Sequence, residues 1–172
     1  MDPFAHASIG LMAKPIVPRA PLALLLAATA VPDLLFFAFE AIGMERQAVT
    51  HMDFKQGLRY LSPAVMHWSH GLFMCIVWSL TAAAIAFPFF RDLRTSAVIG
   101  LLVFSHWVLD FSVYNNMPLV LDGSPEVGLG LMTTRAGIII AIFLEVVLIA
   151  AGISVYLVYR KRRAATPFLV QK

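Results

Sequence analysis

Long apolar runs, separated by short polar or proline-rich segments, dominate this chain. Four of them, residues 21–43, 64–90, 95–113 and 134–159, are long enough to span; a helix needs about 20 apolar residues to cross about 30 Å of hydrocarbon. No alternating segments recur at the roughly ten-residue length of barrel strands, and backbone polar groups in lipid must be satisfied internally, so the pattern predicts helices. A fifth apolar stretch, FAHASIGLMA at 4–13, is about half as long and runs into KPIVPRAP. Pro15, Pro18 and Pro21 there cannot continue a helix, although Pro21 suits the first turn of the next one. The expected architecture is all-α: one transmembrane domain over residues 1–172, with four spanning helices and a short N-terminal helix that is re-entrant or interfacial.

The connections read differently from one another. Segment 43–63 mixes Glu45, Arg46, His51, Asp53, Lys55 and Arg59 with apolar residues, which suits a surface segment with an interfacial helix. RDLR at 91–94 reads as a tight polar turn, and 114–133, rich in Gly, Pro and Asn, as a longer loop.

Composition agrees with the pattern. The chain is 60% hydrophobic with a mean hydropathy of +0.81, and only 13% of it is charged, half the globular norm of about 25%. Little remains for a soluble domain. Cys75, the single cysteine, lies in the second span, so no disulfide forms within the chain. Lys14 and Arg19 followed by PLALLLAATA resemble a secretory signal, but the apolar run continues through LLFFAF and reads as the first span. Arg160, Lys161, Arg162 and Arg163 open the tail at 160–172, a basic flank of the cytoplasmic kind rather than a nucleic-acid site. With the N-terminus inside, nine of the thirteen Lys and Arg residues fall on the inner side, so both termini are expected in the cytoplasm.

Against this background the buried ionisable residues stand out. His67 and His70 are three apart in HWSHGL, His106 and Asp110 four apart in SHWVLD, and Asp33 follows Pro32 inside an apolar run. Residues at those spacings share a helical face, and ionisable groups at membrane depth mark function. At about 1.5 Å per residue, Asp33 lies about 15 Å from the outer end of its span, His70 about 12 Å, His106 about 10 Å, and His67 and Asp110 nearer the surface. All five therefore gather at one end of the bundle. His6 joins them if helix 4–13 re-enters and turns at the prolines. A mixed set of imidazoles and carboxylates suits zinc or a similar divalent ion. Without a cation, two buried carboxylates in spans that hold no Lys or Arg would have to be protonated or otherwise paired. Glu145, central in the last span, is a candidate for orienting a histidine, moving a proton or bonding another helix. His51 reads as solvated; Trp68 and Trp107, each beside a candidate ligand, read as walls of the site.

AHASIG, VPDLL, HWSHGL and SHWVLD, in that order over residues 4–112, resemble the bacterial family of membrane-bound metal-dependent hydrolases that includes the YdjM-like inner-membrane proteins. The resemblance implies an inner-membrane location and His6, Asp33, His67, His70, His106 and Asp110 as metal-site residues. GLGLM and the span carrying Glu145 resemble the family's C-terminal part. The chain departs from the pattern at Leu35, where many members carry a second acid, and in HWSH, which is shorter than the usual pair. The expected function is a metal-dependent hydrolase acting on a lipid or other amphiphilic ester or phosphoester, with Asp33, Asp110 and Glu145 as catalytic candidates. Expected partners are membrane lipids and such a substrate, not nucleic acid; an oligomer or larger complex stays open. Two other classes compete: a haem-binding electron-transfer subunit with His70 and His106 as axial ligands, and a non-catalytic small subunit whose polar residues bond helices together.

Overall fold

The computed structural model describes residues 1–47, 50–53, 57–60, 65–121 and 123–165. Its first helix, α1 (Pro3–Ala13), begins where Asp2 accepts the Phe4 N–H at 2.8 Å and Pro3 supplies a preset first turn. The proline-rich turn after it is closed by Lys14, whose ammonium donates to the carbonyls of Pro18 and Ala20 at 3.1 and 2.5 Å. That turn folds α1 back between its neighbours. It packs against the next helix, α2 (Leu22–Thr29), and against a long C-terminal helix, α7 (Arg135–Ala165). The approach is close because it uses glycine: a Cβ on Gly10 would sit 2.9 Å from the Leu25 carbonyl oxygen, and one on Gly152 2.7 Å from that of Ser8.

The first expected span is broken. Helix α2 gives way to α3 (Val31–Ala41) at Ala30 with a bend of 56°. Pro32 lacks the N–H that would continue the ladder. The second span is broken too: α4 (His67–His70) is a single turn, and α5 (Leu72–Phe90) starts afresh after Gly71, whose backbone is extended. A side chain on Gly71 would meet the His67 carbonyl and lie 2.9 Å from that of Val120, so only glycine fits. Left-handed Arg91 ends α5, and Asp92 then caps α6 (Leu93–Val113) by accepting the Arg94 and Thr95 N–H groups. The Thr95 hydroxyl, with the Thr95 and Arg94 amides, holds the Asp92 carboxyl below its usual range. The expected turn thus shrinks to Arg91 and Asp92, and α6 starts two residues early.

Two short antiparallel ladders interrupt the otherwise helical architecture. Strands β1 (Thr50–Asp53) and β2 (Gly57–Tyr60) pair with Thr50 opposite Tyr60, where the sequence suggested an interfacial helix. Polar and apolar residues mixed over so short a stretch show no decisive helical period, so local pattern does not separate a helix from a hairpin. Strands β3 (Met117–Pro118) and β4 (Glu126–Val127), with a 3₁₀ turn at Leu131–Thr133, fold the expected long loop back over the α5–α6 end. Among the described residues α5, α6 and α7 are long and apolar enough to cross a membrane, and the bent α2–α3 pair makes a fourth candidate. The main core joins Val17, Ala20 and Leu25 to Ile99, Leu102 and Val103 of α6. The tail beyond residue 165, with Lys172, and Lys55 lie outside the described residues.

Candidate metal centre

Five of the six expected ligands, carried by four helices, meet at one point. Asp33 comes from the first turn of α3, His70 from the end of α4, His106 and Asp110 from successive turns of α6, and His6 from α1. The Nε2 atom of His106 lies 3.4 Å from Asp33 Oδ1 and 3.3 Å from Asp110 Oδ2; that of His70 lies 3.5 and 3.9 Å from the same two oxygens. His6 Nε2 lies 3.3 Å from the other oxygen of Asp110, Oδ1, and its ring stacks on His106 with centroids 3.8 Å apart. The α-amino group of Met1 lies 2.6 Å from that same Oδ1. Asp110 therefore divides its oxygens, one turned to α1 and one to the histidines of α4 and α6.

The group is enclosed except at one edge. His6, His70, His106 and Asp110 are buried, while the Asp33 side chain is 38% exposed. Phe36 meets the His70 ring edge-on at 5.9 Å.

His70 and His106 are held from behind. The Nδ1 of His106 bonds the Thr29 carbonyl at 2.8 Å, and that of His70 lies 2.7 Å from the Ser69 hydroxyl. The turn carrying His70 is fixed in place by Glu45, itself buried, whose Oε1 accepts the N–H groups of Trp68 and Ser69 at 2.8 and 2.9 Å. With Nδ1 engaged, the remaining nitrogen of each ring faces the carboxylates, the arrangement in which imidazoles bind metal.

Whether these residues suit a metal can be tested on distances. Donors about 2.0–2.1 Å from a four-coordinate ion stand about 3.3–3.4 Å apart. Of the four histidine–carboxylate separations among His70, His106, Asp33 and Asp110, three fall at 3.3–3.5 Å, and the fourth, at 3.9 Å, is slightly open. His106 Nε2 is also buried without a hydrogen-bond partner. Two sets of three residues, His6–His106–Asp110 and Asp33–His70–His106, each bring their ligand atoms within 4.8 Å of one another. They share the one free nitrogen of His106, so they form one centre. These largely buried groups could hold a metal ion.

Two expected site residues are elsewhere. His67, half-buried, belongs to neither set. It begins the single turn that His70 ends, so the two rings are offset along and around the axis, and only one reaches the centre. Glu145 accepts the Asp2 N–H at 3.0 Å, tying α7 to the start of α1. Trp107 stacks on Phe104 and Phe111 in a separate core with Cys75 and Met117. Trp68 is half-exposed, its carbonyl bonded by Trp78. The side chain of His51 lies outside the described residues.

Sequence reasoning missed the supporting groups. Ser69 stands next to His70 and Thr29 lies just before the proline break, so both had a local signal, whereas Glu45 is 24 residues from the amide it holds and had none. Comparison with protein-family models, with curated proteins and with solved structures gave no match.

Proposed function

We propose that the protein is a membrane-embedded hydrolase dependent on one divalent ion, with zinc best suited to its donors, acting on an amphiphilic ester or phosphoester. The observation carrying this reading is the pair of three-residue donor sets, Asp33–His70–His106 and His6–His106–Asp110, that share a buried His106 nitrogen with no hydrogen-bond partner. His70, His106, Asp33 and Asp110 would hold the ion, with His6 beside them on Asp110. A bound divalent ion supplies Lewis acidity for an acyl or phosphoryl oxygen and for water.

The chain's own groups divide the remaining work. Asp33 stands at the exposed edge and is the carboxylate placed to take a proton from water or return one to a leaving group. Phe37, one turn further along α3 and 58% exposed, makes the same helical face apolar, which suits a substrate with a hydrocarbon part. Buried His6, His70 and His106 keep bulk water from the other side. The family resemblance and an inner-membrane location belong to this same proposal. An axial-ligand role for His70 and His106 would leave both carboxylates without a task, so no second reading is favoured.

Metal analysis of the detergent-purified protein tests the reading. About one equivalent of a divalent metal is expected, most of it lost in His70→Ala and His106→Ala. Full occupancy in the double variant would overturn it. On whichever ester or phosphoester is turned over, Asp33→Asn should lose activity and stay folded, because Asn keeps the shape but neither the charge nor the basicity.

A further inference from the structure

The break in the first span does more than bend the chain. In a continuous helix the Thr29 carbonyl would serve the N–H of Asp33 four residues on. Here the axis turns by 56° between Thr29 and Val31, and that carbonyl bonds His106 Nδ1, 77 residues away, at 2.8 Å. Both residues are 1% exposed, so water does not compete for the contact. A carbonyl oxygen only accepts; the hydrogen must therefore be on Nδ1, leaving Nε2 to face Asp33 and Asp110. His70 has no such constraint, since the Ser69 hydroxyl can donate or accept. The same break places Asp33 in the first turn of α3, so one irregularity delivers both a carboxylate and the acceptor that orients its partner histidine.

We infer that the Thr29–Pro32 break is the positioning device of the centre: it fixes His106 in the form that carries hydrogen on Nδ1, and so selects Nε2 as the metal-binding nitrogen. Thr29 and Pro32 act through His106 and touch neither ion nor substrate. The metal-binding half of this statement rests on the reading above; the hydrogen-bond half does not.

The test uses full-length protein with ¹⁵N-labelled histidine in detergent, first metal-free and then loaded with cadmium-113. In the metal-free wild type, the His106 Nδ1 proton should be present and slow to exchange. In the loaded form, cadmium should couple to His106 Nε2 and not to Nδ1. Pro32→Ala restores the missing N–H and allows a continuous helix; it should expose the Nδ1 proton to exchange and weaken cadmium binding by about 10–100-fold, the usual cost of losing an orienting partner. An unprotonated Nδ1 in the wild type, or a Pro32→Ala protein with unchanged exchange and affinity, overturns the inference. Because the first measurement uses unaltered, metal-free protein, it stands even if Pro32→Ala does not fold. A wild type that binds no cadmium yet keeps the protected Nδ1 proton would sink the metal reading alone.

Discussion

At the scale of single residues, what separates the histidines is the second bond each ring makes. His106 is held by a backbone carbonyl, His70 by a hydroxyl, and His6 by stacking on His106 and by Asp110. These differences predict graded effects. His106→Asn retains an amide N–H near the position of Nδ1 and should keep the Thr29 carbonyl paired, whereas His106→Ala leaves it buried and unmet, at a cost of about 1–3 kcal/mol. Both variants should lose metal, but the Asn protein should melt at the higher temperature in detergent. His6→Ala should lose less metal than His70→Ala, since His6 meets the Asp110 oxygen turned away from the other histidines. His67→Ala should keep wild-type content; a large loss there would mean that the centre extends past the donors identified.

At the scale of elements, the two breaks matter more than the spans they interrupt. The turn of α4 is too short to hold itself, because a four-residue helix makes almost none of its own hydrogen bonds. Glu45 substitutes by taking two of its N–H groups. Glu45→Ala should therefore leave two amides without an acceptor, destabilise the protein by about 1–3 kcal/mol, and reduce metal affinity, although Glu45 lies in neither donor set. Glu45→Gln, which keeps a carbonyl oxygen, should retain most of both. Thermal melting and metal titration of the two variants separate the outcomes. The two apolar runs that signalled continuous spans at 21–43 and 64–90 were sound as apolar length, but they contained the stops in plain view, Pro32 and Gly71. A proline and a glycine inside a run mark where a helix is free to break; whether it does depends on whether other groups take up the freed amides and carbonyls.

Across the whole molecule, α1 completes the centre from inside the bundle, inserted between α2 and α7 at contacts that tolerate no added carbon at Gly10 and Gly152. Gly152→Leu should push α1 from α7 and withdraw His6, so metal affinity should fall while a helical circular-dichroism signal persists. Orientation belongs to this scale as well. The excess of basic residues expected on the inner side predicts that Glu126, exposed in β4, faces the exterior. After replacement of Cys75, Glu126→Cys should react with an impermeant thiol reagent on intact cells; labelling only in broken cells would reverse the expected topology.

Hydrophobic run lengths by themselves determined the mostly helical class and the presence of three to four helices apolar enough to cross a membrane, because so long an apolar segment has few ways to satisfy its backbone. The spacings HxxH and HxxxD, with Asp33 inside an apolar run, were enough to predict a cluster of ligand-type groups at one end. They could not show that His67 stays outside it, since sharing a helical face assumes a helix longer than the single turn of α4. Nor could they place Glu145, which met the start of α1 across 143 residues of chain. Glu45, the Thr29 carbonyl and the final position of His6 were also decided only in three dimensions. Each depends on a contact between distant segments, and local pattern holds no information about which amides, carbonyls and rings the packing will bring within 3 Å of one another.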